Sequence, residues 1–486
     1  MTPTNSKNFI NGTWRDSSTG ETFPVINPAN DKVLAHVPSL SSNDVDETIQ
    51  AAHSAFLSWR DIPARTRSDI LLTISRALVD RVEELAALIT SEQGKPLAES
   101  RGEVLYSANY FRWFSEEAVR VNGDIIPAEA PNKRSFVLKQ PIGVVAAITP
   151  WNFPVAMLAR KLGAALAAGC AFIAKPAPET PLSALALADL CALAGVPAGV
   201  FNVITGEAEM IGSHLMRSPL VRKVTFTGST EVGKILIRQS AETVKKLTLE
   251  LGGNAPFLVF DDADIERAVE GAIFGKYRNA GQTCICVNRF LVHEKVAKVF
   301  TDRLIARSQE LVVGDGADAT TTVGPLITDE AAEKVVRLIE SARREGASLP
   351  LAPLENTRGK RFISPTVITG VTPSMSIWKE EIFGPVSAVT TFSTDEEAIS
   401  LANDTSYGLA AYVYSQNLSR AMQVSERLDY GMVGINDTAI SSVQAPFGGI
   451  KESGFGREGS RYGIEEYLVL KYLSVVMPCP PSRTVR

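Results

Sequence analysis

Histidine and cysteine are both scarce in this chain of 486 residues, with four of the first and five of the second. Cys170, Cys191, Cys284, Cys286 and Cys479, spread over such a length, make no disulfide framework, so a reducing compartment, the cytoplasm, is the expected setting. Four scattered histidines leave no histidine-rich metal cluster and no Cys/His protease pairing. His293-Glu294 lacks a second histidine four residues on, and Cys284 and Cys286 have no second pair, so no metal is expected. Basic charge is short as well. The net charge is −5 and no dense Lys/Arg cluster offsets it, which argues against nucleic acid as a partner. Long hydrophobic runs are missing too. Pro141 to Ala159 is uncharged but holds three prolines and Asn152, and Leu162 to Ala174 is too short to span a bilayer, so no membrane partner is expected. Met1 to Trp14 is polar, with no signal-peptide core.

What is present is ordinary globular composition, with 45% hydrophobic and 21% charged residues, enough for two or three domains with their own cores. From Pro141 the chain alternates regularly. Gly143 to Thr149 reads as a buried strand and Pro154 to Ala168 as a helix with proline in its first turn. Cys170 to Ala174, Pro181 to Ala194, Val200 to Ile204, Glu207 to Met216, Lys223 to Thr227 and Glu231 to Ala241 repeat that unit. The pattern predicts an α/β fold with a doubly wound, mainly parallel sheet. A second α/β block runs from Phe290 to about Tyr430, with an amphipathic helix from Asp329 to Arg344. Ser68 to Gln93 reads as helical, packed on the first domain, and Tyr467 to Val476 as a strand that pairs with another subunit.

Three segments bear chemistry. Gly228 to Lys234 falls one residue short of a triphosphate-binding loop, because Ile235 stands where Ser or Thr must hold magnesium. Gly228 and Ser229 still fall at a strand-to-helix turn, where backbone N–H groups can meet a pyrophosphate or simply make a tight turn. Leu249-Glu250-Leu251-Gly252-Gly253 sets a carboxylate in an apolar strand, which raises its pKa and suits a general base. Asn279 to Cys286 places Cys284 among small polar residues, as an exposed nucleophile would be.

These segments join others in a fixed order: Pro150-Trp151-Asn152-Phe153-Pro154, Lys175-Pro176, Phe226-Thr227-Gly228-Ser229, Leu249-Glu250-Leu251-Gly252-Gly253, Gly281-Gln282-Thr283-Cys284, Glu381-Ile382-Phe383-Gly384-Pro385 and Pro446-Phe447-Gly448-Gly449. On them the chain resembles the aldehyde dehydrogenase superfamily from Phe9 to its C-terminus, and within it the succinate-semialdehyde dehydrogenases. The resemblance implies an aldehyde-dehydrogenase-like architecture. A Rossmann-type dinucleotide-binding domain would take residues 1–118 and 142–252, and an α/β catalytic domain 253–453. A small β oligomerisation element would take 119–141 and 465–486, making a homodimer or homotetramer.

It also implies residue roles. The Cys284 thiolate would attack the aldehyde carbon, and Asn152, with the N–H of Cys284, would donate to the oxyanion. Hydride transfer to the nicotinamide would leave a thioester that Glu250 hydrolyses by activating water, with Lys161 in the proton relay or else merely solvated on its helix. Glu381 would hold the nicotinamide ribose and Lys175 the adenosine ribose. Thr149, Pro150, Trp151, Ala177, Pro178, Gly228, Ser229, Leu251 and Phe383 would complete the cofactor site. A coenzyme A acyl-transferring relative would not need Glu250, and a purely binding protein would not need the whole set.

Arg160, Arg278 and Ser441 occupy the positions that line the acyl pocket in the family. Two guanidinium groups facing one pocket suit a small anionic aldehyde, because arginine grips a carboxylate in bidentate fashion. The alternative is a solvated end of its helix for Arg160 and a helix C-terminal cation for Arg278. Succinate semialdehyde is expected first, then glutarate semialdehyde or a sulfonated or phosphonated aldehyde. Pro178 stands where NAD-preferring relatives often carry a glutamate, so NADP is the expected cofactor with NAD tolerated, although Glu179 is displaced by only one position. Cys286 is a candidate redox partner of Cys284 or a small packing residue.

Overall fold

The computed structural model describes residues 6–353 and 359–478. Cys479 and parts of the expected domains (1–5, 354–358 and 479–486) lie outside the described residues.

The predicted alternation after Pro141 builds an eight-stranded sheet. Its order is Gly454–Phe455, Lys246–Glu250, Val221–Thr227, Val144–Ile148, Ala171–Lys175, Phe201–Val203, Asn8–Ile10 and Thr13–Arg15. The five strands from Lys246–Glu250 to Phe201–Val203 run parallel. At the centre of the sheet Val144–Ile148 is wholly apolar and Ala171–Lys175 apolar up to its last residue, because helices cover both faces and give separate cores on each side. From Val144–Ile148 the chain first winds outward through Ala171–Lys175 and Phe201–Val203, then returns to the other side. The order therefore reverses between Val144–Ile148 and Val221–Thr227, and the crevice in which such sheets bind ligands lies outside the carboxyl ends of the strands at such a point.

Helix Pro154–Ala168 starts where proline is pre-organised at the first turn and is buried along its whole length. It reads as uniformly apolar for that reason, and its two cations, Arg160 and Lys161, must find partners inside. The predicted helix over Ser68 to Gln93 is two helices, Ala64–Asp80 and Val82–Gln93. They break at Arg81, which has φ −108° and ψ 23° and is gripped by Glu84 and Asp189. No glycine or proline marks that break in the sequence.

A seven-stranded sheet follows, ordered Ser348–Leu351, Thr366–Thr369, Val386–Phe392, Val287–His293, Ala255–Val259, Ala410–Tyr414 and Met432–Ile435. All but the first are parallel. The amphipathic helix is present as Asp329–Arg344, its N-terminus capped by Thr328. A third sheet joins Asp124–Ile126, Lys133–Pro141 and Leu468–Val476, all antiparallel. The last strand thus has a partner in its own chain, which the expectation of pairing with another subunit left out. Its second edge is open, and every residue of it after Leu468 is exposed. Among the described residues no helix is long and apolar enough to cross a membrane.

Candidate active site

Cys284 sits in the loop that precedes strand Val287–His293, half-buried in the wall of a cavity of about 560 Å³. The loop is held in a costly shape, with Asn279, Ala280 and Gly281 all at positive φ (52°, 54° and 77°). Glycine is needed at 281, since a Cβ there would run into the Gly384 carbonyl. It is needed at 253 as well, where a Cβ would meet the Cys284 carbonyl. The second glycine after Glu250 therefore lets the two chemical motifs approach. Burial pushes the Cys284 thiol up to about 12, with Arg160 opposing. The resting group is therefore a protonated thiol, and forming the nucleophile requires a proton acceptor.

Asn152 follows strand Val144–Ile148 and donates from Nδ2 to the Gln282 carbonyl at 3.0 Å. Its Oδ1 is buried without a partner. Its main-chain carbonyl accepts from Lys95 Nζ at 2.6 Å and Asn279 Nδ2 at 3.0 Å. Gln282 braces the loop, donating to the Asn279 carbonyl at 3.1 Å and accepting from the Ile327 N–H at 3.0 Å. Neither Lys95 nor Gln282 was singled out in the sequence.

Glu250 ends strand Lys246–Glu250 with both carboxylate oxygens buried and without hydrogen bonds. Burial, then the neighbouring Glu458, hold its carboxyl well above the usual carboxylate range against the pull of Lys161 and Arg160. Lys161 is fully buried and paired with Glu458, so it is not a solvated helix lysine. Arg160 is 2% exposed in mid-helix rather than at a solvated end, and its Nη1 meets Glu458 at 3.2 Å. Burial pushes the Glu458 carboxyl up, but Lys161 and Arg160 outweigh it and hold it below its ordinary value. Glu458 was absent from the sequence reading. The available signal was indirect: two cations on an all-buried helix demand an anion.

Arg160, Arg278 and Ser441 all line the cavity that holds Cys284. The Arg160 guanidinium lies 4.4 Å from the Phe447 ring centroid. Arg278 stacks over Phe153 and Phe274, 5.2 and 5.5 Å from their centroids, and makes no hydrogen bond or ion pair among the described residues. Ser441 Oγ lies 2.6 Å from the Tyr106 hydroxyl, which lies 2.9 Å from that of Tyr110. Tyr106, another residue missed in the sequence, ties the serine to the aromatic wall over Arg160. A guanidinium in a cavity wall that makes no ion pair among the described residues can take an anion, although the Glu99 carboxyl in the same wall already feels its charge.

The expected cofactor residues gather at the carboxyl ends of the parallel strands. Thr149, Pro150 and Trp151 follow Ile148, and Lys175 ends its strand with Ala177 and Pro178 just beyond. Gly228 and Ser229 follow Thr227, and Leu251 follows Glu250. Ser229 caps helix Thr230–Ser240, accepting from the Val232 N–H at 3.3 Å. Lys175 is buried, its ammonium donating to the Pro176 carbonyl at 3.2 Å; burial lowers its pKa, and Glu179 and Glu207 oppose that. The negative charge that Pro178 lacks is thus displaced to Glu179 rather than lost. Glu381 Oε1 accepts from the Gly253 N–H at 2.9 Å, and burial raises its carboxyl to about 7. Phe383, at φ 54°, stands edge-on to Trp151 with centroids 5.7 Å apart. A helix start, an ammonium and a carboxylate around the crevice fit a dinucleotide: phosphates need donors and ribose hydroxyls need an acceptor.

Cys286 is not part of the cavity wall. It is 7% exposed, with Sγ 3.3 Å from Lys276 Nζ, and both it and Cys284 are free thiols. Among the described residues no three His, Cys, Asp or Glu side chains stand together as a metal site.

The aldehyde dehydrogenase family profile matches residues 14–473. A 3-sulfolactaldehyde dehydrogenase of Pseudomonas putida is 51% identical over 465 residues, 96% of each chain. The NADP(+) succinate-semialdehyde dehydrogenase of Escherichia coli K12 is 50% identical over 467 residues, 96% of this chain and 97% of that one. The crystal structure of an aldehyde dehydrogenase from Brucella melitensis biovar abortus superposes with a TM-score of 0.96 at 51% identity, covering 98% of both chains. The fold, the crevice and the thiol in its cavity agree with these likenesses: the chain belongs to the aldehyde dehydrogenase family, NAD(P)-dependent enzymes that oxidise small aldehydes.

Proposed function

We propose that this enzyme oxidises an anionic semialdehyde, succinate semialdehyde first, to the dicarboxylate, with NADP+ preferred and NAD+ accepted. The observation that carries the reading is Arg278, a guanidinium that makes no hydrogen bond or ion pair among the described residues in the wall of the Cys284 cavity. Arg160 and Ser441 complete the anion site. The likeness to relatives named for succinate semialdehyde and 3-sulfolactaldehyde, both anionic, supports it. Glutarate semialdehyde, or a sulfonated or phosphonated aldehyde, is the alternative, since one methylene is worth only ~1–3 kcal/mol of discrimination.

Cys284 releases its proton to water in the cavity, and its thiolate bonds to the aldehyde carbon as the carbonyl electron pair moves to oxygen. The new oxyanion takes donors from the Asn152 side chain and the Cys284 N–H. Bound NAD(P)+ supplies the two-electron acceptor that turns this adduct into a thioester. Lys175, Glu381 and Phe383 would hold it with Thr149, Pro150, Trp151, Ala177, Pro178, Gly228, Ser229 and Leu251. Glu250 takes a proton from water, the hydroxide displaces the Cys284 thiolate, and the carboxylic acid leaves. Its unbonded carboxylate suits that task, and a coenzyme A acyltransferase would have no use for it. Lys161, whose charge acts on Glu250, takes up that proton as it gives one of its own towards solvent, and Glu458 holds it in place. Cys286 becomes a redox partner of Cys284 only by leaving Lys276.

The dinucleotide domain is assigned to 1–118 and 142–252, the catalytic domain to 253–453 and the oligomerisation element to 119–141 and 465–486. A cytoplasmic homodimer or homotetramer is the expected form. The test is cofactor reduction with NADP+ and then NAD+ on succinate semialdehyde, glutarate semialdehyde and a neutral aldehyde of similar length. Preference for the anions is expected. Equal use of the neutral aldehyde would remove the specificity, and an ~10-fold NAD+ preference in kcat/KM, about 1.4 kcal/mol, would remove the cofactor assignment.

A further inference from the structure

Behind the Asn152 loop lies a buried ion pair that the chemistry above leaves unused. Lys95 precedes helix Leu97–Ala118 and Glu103 lies within it, both with side chains wholly inside, Nζ to Oε2 2.7 Å. The ammonium donates again, at 2.6 Å, to the Asn152 carbonyl, and lies 3.7 Å from the Phe153 ring centroid. The other Glu103 oxygen accepts from the Val155 and Ala156 N–H groups at 2.9 and 3.1 Å. These are first-turn amides of helix Pro154–Ala168, which has no side-chain cap of its own. Helix Leu97–Ala118 also reaches the cysteine loop, because its Glu99 Oε2 accepts from the Asn279 N–H at 2.8 Å. Asn279 in turn donates to the Asn152 carbonyl at 3.0 Å.

A buried ion pair adds little net stability over apolar residues of the same volume, so stability alone is a weak reason for this one. What it supplies is direction. The ammonium's donors face a carboxylate, one particular carbonyl and a ring, and the carboxylate fixes the start of the following helix. Lys95 is itself clamped, since its N–H donates to Gln93 Oε1 at 2.9 Å and a Cβ on Gly316 would meet its carbonyl. We propose that Lys95 and Glu103 are positioning residues for aldehyde oxidation, holding the Asn152 backbone so that its side-chain amide stays against the cysteine loop. This rests on Asn152 being the oxyanion donor. A misplacement of about 1 Å at such a donor can cost ~10²-fold in rate.

The test is a double-mutant cycle on the full enzyme with succinate semialdehyde: wild type, Asn152→Ala, Lys95→Met and the double variant. Asn152→Ala lowers kcat by ~10²–10³. Lys95→Met lowers kcat by ~10–10² with KM within about threefold, as expected for a displaced donor. The double variant is no slower than Asn152→Ala alone, because Lys95 acts through Asn152. Alkylation of Cys284 by iodoacetamide, which needs no oxyanion donor, keeps its wild-type rate in each. Glu103→Gln, close to isosteric, carries the same test should Lys95→Met not fold. Wild-type kcat in the Lys95 or Glu103 variant, or a further loss in the Asn152→Ala background, overturns the proposal. An Asn152→Ala enzyme with wild-type turnover removes the donor role and the positioning role with it.

Discussion

Glu250 ends its strand with neither oxygen hydrogen-bonded, and a carboxylate left that way inside a protein is unstable unless it is a proton acceptor in waiting. Its raised pKa gives a sign. The base works as the carboxylate, so turnover rises with pH as the proton leaves, over a window above the usual carboxylate range. Glu250→Gln removes that rising limb and leaves a burst of reduced cofactor equal to the enzyme present. A steady rate lower by ~10²–10⁴ then follows, readable in stopped flow. An unchanged steady rate would take the base role away. Glu458 holds two cations at once, so Glu458→Gln leaves Arg160 and Lys161 without their shared counter-charge and costs about 3 kcal/mol in denaturant unfolding. Cys284 and Glu250 could be picked out in the sequence because each sits in a segment whose residue types are themselves the chemistry, whereas Asn152 and the two arginines came from the resemblance to the family. Glu458 could not: it lies 297 residues from Lys161, and nothing local marks one glutamate in a glycine-rich tail as the partner of a distant lysine.

Elements repeat the contrast. Helices Pro154–Ala168 and Asp329–Arg344 begin and end where proline placement and periodicity predict, since both signals are local. The break at Arg81 and the left-handed run at Asn279–Gly281 have tertiary causes and leave little trace. Gly281 is the exception, a glycine needed both for its positive φ and for the Gly384 carbonyl beside it. Gly281→Ala should disorder the cysteine loop, lowering kcat by ~10²-fold or more through loss of alignment while secondary structure by circular dichroism stays intact. Helix Pro181–Leu193 shows another remote cap: Glu92 accepts from the Leu182 and Ser183 N–H groups, both at 2.9 Å. Glu92→Ala should destabilise the fold by about 2 kcal/mol, measured by chemical denaturation.

At the scale of the whole molecule the two parallel sheets were legible because alternating strands and helices admit few arrangements. The intrachain pairing of Leu468–Val476 with Lys133–Pro141 had no local signal, since its partner lies more than three hundred residues away, and only the resemblance grouped the two segments. That strand leaves Leu470, Tyr472 and Val476 exposed at 69%, 57% and 67% beside an open edge, which is where the proposed assembly would place its interface. Leu470→Lys should shift sedimentation towards a smaller species, whereas an unchanged assembly would put the interface elsewhere. The central claim concerns the charge of the substrate. Its most direct measurement is the ratio of kcat/KM for succinate semialdehyde to that for a neutral aldehyde of equal length, in the wild type and in Arg278→Leu. The ratio should fall by ~10-fold or more in the variant, as losing a charged hydrogen bond of ~1.5–3 kcal/mol requires, with neutral-aldehyde turnover nearly unchanged. A ratio that stays the same would mean that Arg278 does not read the anion, and the proposed specificity would fall.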